Sequence, residues 1–334
     1  VRVIVCGTRY GSAYVQALWG HDAGLHLVGI IARGSNRSRE LAARYGVPLY
    51  RAESEVPEGG VDLACVAVPG VAGTELAMDF LRRGVHVLAE HPAEPADLSA
   101  ALAEARGRGL VYHLNTHFAD LETVWPFFAV CARATERALF LTAATNPRAL
   151  YSCLDLVGRA LGGLSPFEVH GALTGDGPLA AVHGTAAGVP FSIQCQTALT
   201  ERDDGSETWV SHRVALTWDT GTLHLAEAAG PVLWLPTAGP VQELPPPEAA
   251  AIFAKPAWSL LSPPLPPTLK EHLADHRDHA NRLALRRLAI EVRTGYRAPE
   301  QAPEHLLAVS RAWREVCDVL LIQRRRAAGS PSTA

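Results

Sequence analysis

The feature that most restricts this chain is the alternation of short apolar runs with helical segments over its first ~115 residues. Val1–Cys6, Leu25–Ile31, Val61–Val68, Val85–Ala89 and Val111–Asn115 read as strands, too uniformly apolar to face water on either side. Between them, Tyr14–Trp19, Arg37–Tyr45, Gly73–Arg83 and Ala96–Arg108 carry helical spacing, and Gly46 and Gly84 mark two of the helix ends. Strand-helix pairs of this length build a doubly wound parallel sheet whose ligand crevice lies beyond the strand C-termini.

The pattern changes near residue 120. Phe140–Thr145, Phe167–Leu173, Phe191–Leu199, Trp209–Trp218 and Thr222–Leu225 alternate in part, with turn signals at Asp203-Asp204-Gly205 and Asp219-Thr220-Gly221. They predict a second, mostly antiparallel layer. Leu150–Leu161, His272–Thr294 and Pro303–Arg324 read as helices, and the proline-rich Pro236–Pro267 as a surface excursion. The expected class is α/β: a dinucleotide-type domain over 1–120, an α+β domain with an open antiparallel sheet over 121–325, and a flexible tail over 326–334.

With 48% hydrophobic and 19% charged residues, the 334-residue chain has enough apolar surface for such cores. Its formal charge of -4 and the lack of a basic, aromatic-studded stripe argue against nucleic acid. No run of 18 apolar residues suggests a membrane span, and V-R-V-I-V-C-G lacks the charged region of a secretion signal. The six cysteines form no CxxC pair and no zinc-spaced cluster with histidine, so no metal is expected. A reduced, cytoplasmic setting follows as the expectation.

Gly7-Thr8-Arg9-Tyr10-Gly11 follows the first strand directly and opens a helix. There, backbone N–H groups and a helix N-terminus can meet a pyrophosphate, although Arg9 and Ser12 stand where GxGxxG has its later glycines. In a Rossmann arrangement an acid after the second strand takes the ribose 2′-hydroxyl of NAD. This chain has Ala32-Arg33-Gly34-Ser35-Asn36-Arg37-Ser38-Arg39 instead. Arginines and serines at a helix mouth suit a 2′-phosphate, so NADPH/NADP+ is the expected cofactor.

The fourth strand runs into Glu90-His91-Pro92. A nucleotide domain with a Glu-Lys-Pro-like motif there resembles the Gfo/Idh/MocA oxidoreductases, with His91 replacing lysine. The chain has only Lys255 and Lys270, so no lysine of that domain substitutes. Within that superfamily the sequence is similar to the thiazolinyl imine reductases of yersiniabactin- and pyochelin-type siderophore assembly. The similarity rests on G7-T-R-Y-G11, G34-S-N-R-S-R-E-L41, G46-V-P-L-Y50, G84-V-H-V-L-A-E-H-P92, N115-T116, L150-Y-S-C-L-D-L156 and G230-P-V-L-W234. The resemblance implies NADPH-dependent reduction of a thiazoline C=N to a thiazolidine on an intermediate tethered to a nonribosomal peptide synthetase carrier domain. A homodimer is the default expectation.

The residues expected at the cofactor are Gly7, Thr8, Arg9, Tyr10, Gly11, Arg33, Gly34, Ser35, Arg37, Ser38, Val68, Glu90, His91 and Asn115. Imine reduction needs a proton at nitrogen, and an imidazole titrating near 6.5 can donate it at neutral pH. Glu90 would orient His91 or favour its charged form, and Pro92 would fix the chain direction after it. Sugar dehydrogenases of the superfamily carry His-x-x-Asp on a later helix; here Asp155 is present but Ser152 precedes it. Where the imine reductases usually have a tyrosine after Asn115-Thr116, this chain has Phe118, leaving His91 alone, His117, Tyr151 or solvent as proton source. Two other readings stand beside this one. They are a superfamily oxidoreductase acting on a free imine, carbonyl or sugar, and a silent NADP-binding regulator or scaffold.

Overall fold

The computed structural model describes residues 1–19, 24–174, 177–197, 208–237, 257–262, 268 and 275–329. The chain packs as two compact units: Val1–Asp120 with Thr268–Arg311, and Leu121–Pro267 with Ala312–Ala334. A cut near residue 120 is legible in the sequence; the return of 268–311 to the first unit is not. The sequence pattern alone groups that segment with the second domain.

In chain order the first unit runs β1 (Arg2–Cys6), α1 (Gly11–Leu18), β2 (His26–Ile31), α2 (Asn36–Tyr45), β3 (Leu49–Tyr50), β4 (Leu63–Val66), α3 (Val71–Arg82), β5 (His86–Glu90), α4 (Pro95–Gly107) and β6 (Tyr112–Asn115). The six strands are ordered β3-β2-β1-β4-β5-β6, all parallel. Strand order reverses between β1 and β4, which is where a doubly wound sheet opens its crevice. β1, β4 and β6 are buried almost throughout, as expected of strands covered on both faces. The two-residue β3 was not expected from sequence; it is too short to carry a period.

The second unit contains α5 (Trp125–Cys131), β7 (Phe140–Thr145), α6 (Leu150–Leu161), β8 (Phe167–Thr174), β9 (Leu179–Ala186), β10 (Val189–Gln196), β11 (Arg213–Trp218), β12 (Gly221–Leu225), β13 (Val232–Pro236) and β14 (Ser259–Leu260). Its sheet is ordered β14-β13-β12-β11-β7-β10-β9-β8, antiparallel except for the parallel pair β7/β10. β9 (L-A-A-V-H-G-T-A) escapes a sequence reading because small residues hide its alternation, although every second residue is buried. Gly184 within it is required by contact: a Cβ there would lie 2.0 Å from the Glu168 carbonyl oxygen of β8. Helix α6 is buried from Leu150 to Gly158 and ends on Gly162 in the left-handed region. Asp203–Gly205, most of Pro236–Pro267 and the extreme tail lie outside the described residues.

Two helices close the chain, α7 (Arg277–Thr294) and α8 (Pro303–Gly329). Ala284, Leu285, Leu288 and Ala289 of α7 fall at helical spacing and join Val3, Tyr14, Val15, Leu18 and Ile30 in the first unit's core. None of the six cysteines forms a disulfide. Among the described residues no helix is long and apolar enough to cross a membrane.

Candidate active site

At the β1–α1 turn, Gly7 has φ +91°, and a Cβ would meet the Ala67 carbonyl oxygen after β4 at 2.5 Å. The turn therefore lies flush across the switch point, with Val68 next to it (its Cγ2 would be 3.4 Å from the same Cβ). Tyr10 stands at the N-cap of α1, and no side chain caps that helix. Its first N–H groups, beginning at the buried Gly11, are thus not taken up by a capping side chain, the arrangement that accepts phosphate oxygens.

A cleft of about 520 Å³ opens beside this loop, lined by Thr8, Arg9, Ser12, Arg37, Glu40, Leu41 and Arg44. Three arginines face one carboxylate. Arg37 and Arg44 share a face of α2 because they are two helical turns apart. Such a donor set suits an anionic group.

The other residues of the β2–α2 turn are placed differently. Arg33 is exposed and does not line the cleft. Gly34 has φ +82°, and the Arg51 guanidinium packs against its Cα side at 3.4–3.6 Å from a would-be Cβ. Ser35 Oγ accepts from the Ser38 N–H at 3.3 Å, and Ser38 Oγ donates to the Ser35 carbonyl at 2.8 Å. The two hydroxyls cap α2.

The ends of β5 and β6 hold a connected polar cluster. Tyr14 Oη donates to Glu90 Oε1, and Asn115 Nδ2 donates to the same oxygen at 3.1 Å and to Asn281 Oδ1 at 3.0 Å. Tyr10 Oη donates to Asn281 Oδ1 at 3.2 Å and lies 2.8 Å from His117 Nδ1. His91 Nδ1 donates to the Asn115 carbonyl at 2.8 Å, with Glu90 Oε2 at 3.6 Å. Burial pushes the Glu90 carboxyl well above the usual carboxylate range, although the Asn115 hydrogen bond opposes the shift. The Asn115 carbonyl is thus the group that orients His91. Burial also pushes the Tyr10 hydroxyl up, with Glu90 adding to the shift.

His117 is buried on a single 3-10 turn, His117–Asp120, its ring 5.4 Å from Tyr10 and 4.0 Å from Phe118. The structure therefore brings together Tyr10, Glu90, His91, Asn115 and His117. Tyr151 belongs to the second unit, buried on α6 with its ring 5.8 Å from Trp313. On the same helix Asp155 pairs with Arg159 at 2.9 Å, and Ser152 Oγ lies 2.7 Å from His212 Nε2.

Sequence reasoning missed Tyr14 and Asn281 in the cluster, and Ser12, Arg44 and Arg51 around the β1–α1 and β2–α2 turns. Ser12 and Arg44 had a readable signal: one lies in the first turn of α1, and the other repeats Arg37 seven residues on. Asn281 had none, since its partners lie 166 and 271 residues away.

Residues 1–116 match the sequence model of an oxidoreductase family with an NAD-binding Rossmann fold, GFO_IDH_MocA. Residues 136–235 match the C-terminal domain of the thiazolinyl imine reductase Irp3-like family. The chain belongs to the Gfo/Idh/MocA oxidoreductases. Its Irp3-like segment, residues 136–235, relates it to the thiazolinyl imine reductases of that superfamily. No curated protein matches it.

Solved structures with the Gfo/Idh/MocA architecture align over nearly the whole chain. An oxidoreductase from Agrobacterium radiobacter in complex with NAD+, L-tartaric acid and magnesium is 12% identical, with TM-score 0.73 and 96% of each chain covered. A 3-ketoreductase from Actinomadura kijaniata in complex with TDP-benzene and NADP, in an open conformation, is 18% identical (TM-score 0.68, covering 94% of this chain and 96% of that one). The UDP-N-acetylglucosamine 3-dehydrogenase from Acidithiobacillus ferrooxidans is 13% identical (TM-score 0.68, covering 95% and 97%). At these identities the likeness is one of fold.

Proposed function

We propose that this oxidoreductase is an NADPH-dependent thiazolinyl imine reductase, reducing a thiazoline C=N to a thiazolidine on an intermediate tethered to a peptide-synthetase carrier domain. The observation that carries the reading is the Irp3-like match over residues 136–235, taken with a histidine in place of lysine at the end of β5. The uncapped start of α1 and the flush Gly7 turn suit the pyrophosphate, and Arg9, Arg37 and Arg44 suit the 2′-phosphate. NADPH, when bound, supplies hydride to the imine carbon.

The chain's own groups supply the proton. His91 Nδ1 is committed to the Asn115 carbonyl, so the imidazolium delivers its proton from Nε2. General-acid assistance of this kind is worth about 10²–10⁴-fold in rate. The same reading carries a carrier domain as partner and a second copy of the chain pairing through the open eight-stranded sheet.

Ser152, where the sugar dehydrogenases place a histidine, weighs against oxidation of a sugar alcohol, although some structural neighbours are sugar-nucleotide enzymes. The test is NADPH consumption with a carrier-bound hydroxyphenyl-thiazoline, with the product mass gaining two hydrogens. His91→Ala is expected to lose about 10²-fold or more of kcat. Turnover of a free sugar or carbonyl but not the tethered thiazoline would overturn the reading.

A further inference from the structure

An imidazole can hand over a proton only from the nitrogen that carries one, and the polar cluster at the ends of β5 and β6 fixes that nitrogen for two rings. For His91 the assignment is direct: a backbone carbonyl accepts only, so Nδ1 bears hydrogen. For His117 the partner is a phenol, which can donate or accept. Asn281 decides between the two. Its Oδ1 accepts from Asn115 Nδ2 at 3.0 Å and from Tyr10 Oη at 3.2 Å. The single Tyr10 proton is spent on Asn281, so the bond to His117 is made by His117 Nδ1–H donating to the phenol oxygen.

The orientation of the Asn281 amide is itself informative. The side chain is fully buried, and its Nδ2 has no hydrogen-bond partner among the described residues. Turning the amide over would set that Nδ2 against the Nδ2 of Asn115, donor against donor at 3.0 Å. The chain leaves one buried donor unsatisfied to keep Oδ1 where it is.

We propose that Asn281 is a positioning residue that, through Tyr10, holds His117 as the Nδ1–H tautomer, matching His91, so that Nε2 is the proton-exchanging atom in both rings. Its use in catalysis rests on the reductase reading; the tautomer does not. A neutral His117 in this state is an acceptor at Nε2 and becomes a donor only when charged. The two strand-end histidines would thus share one tautomer, each with Nε2 left to exchange the proton. Phe118 removes the phenol expected after Asn115-Thr116, and Tyr10 brings one to His117 from the opposite side of the sequence.

The test is a two-bond ¹⁵N–¹H correlation spectrum of the full chain, histidine-labelled and free of nucleotide, with His91 and His117 assigned by glutamine replacement. Both rings are expected as Nδ1–H tautomers in the unmodified protein. Asn281→Leu should release His117 toward the Nε2–H form that an unrestrained imidazole prefers, leaving His91 unchanged. Asn281→Asp keeps an acceptor at Oδ1 and should keep the tautomer. Should Asn281→Leu not fold, Tyr10→Phe removes the same link and should release the same ring.

His117 found as Nε2–H in the unmodified protein, or unmoved in both Asn281→Leu and Tyr10→Phe, overturns the proposal. In turnover, Asn281→Leu is expected to lower kcat by about 10²-fold through misplacement, with the NADPH KM little changed and Asn281→Asp rescuing kcat. A protein without thiazoline turnover but with the tautomers as stated would sink the reductase reading and leave this one standing.

Discussion

Glu90 is a carboxyl group that the fold encloses and then serves with two hydrogen-bond donors, Tyr14 and Asn115. Its folded-state pKa is raised above the ordinary 4.5. Between those two values the folded protein holds a proton that the unfolded chain has lost, so stability falls as pH rises through that window. Glu90→Gln keeps an acceptor for both donors and removes the titration. It is expected to raise the melting temperature of the first unit by about 2–4 °C at neutral pH, the shift that roughly 1 kcal/mol produces in a unit of that size, and by less near pH 4. Thermal melts across that range check the sign.

At the cofactor cleft the arginines separate. Arg37→Ala or Arg44→Ala is expected to weaken NADPH by about 10-fold or more, the usual worth of a charge-assisted hydrogen bond, and NADH little. Arg33→Ala should be nearly silent, because Arg33 does not line the cleft. Parallel titrations with the two nucleotides decide it. The lining positions Thr8, Arg9 and Arg37 could be singled out from sequence because a turn, a helix start and nearby charges are local features. Tyr14 could not, since on α1 it reads as one more apolar position.

Helix α2 shows how an element can claim residues that a motif assigns to a ligand. Ser35 and Ser38 close its first turn on each other. Ser35→Ala should therefore cost about 1 kcal/mol of stability while NADPH affinity holds, as measured by denaturant melts beside nucleotide titration.

A comparable anchor operates in the second unit. Glu227 accepts from the backbone N–H groups of Ser211 (2.9 Å), His212 (2.7 Å) and Ala228 (3.0 Å). Burial alone would raise its pKa, but the bonds from His212 and the backbone outweigh burial and hold it at about 2. A depressed carboxylate contributes stability above its unfolded value near 4.5, and that contribution drains away as pH falls toward 2. Acid unfolding followed by circular dichroism should flatten over that interval in Glu227→Gln. Such anchors are invisible in sequence because hydrogen bonds to backbone leave no residue pattern. Strands β7, β11 and β12 were legible from their alternation, whereas β13 was not, having only four residues between Pro231 and Pro236.

For the whole molecule, the decisive element is α7. Leu285 and Leu288 are fully buried in the core of a unit whose sheet ended at Asn115. Burying each contributes about 1.5–3 kcal/mol, a large share of the roughly 5–15 kcal/mol that holds a domain together. A fragment of residues 1–120 alone is therefore expected not to fold cooperatively, and adding residues 268–311 through a short linker should restore a sharp denaturant transition. No local pattern in the first 120 residues announces the missing helix; only the three- and four-residue spacing of Ala284, Leu285, Leu288 and Ala289 far downstream hints at a buried face.

That arrangement dictates an order of events at the ribosome. The nucleotide loop emerges first, yet the amide that meets Tyr10 and Asn115 is translated only after the entire eight-stranded sheet. A nascent chain stalled before α7 lacks both Asn281 and the leucines that complete the first unit's core, so the earliest-made turn and the polar cluster settle together, only once the last quarter of the chain has been synthesised.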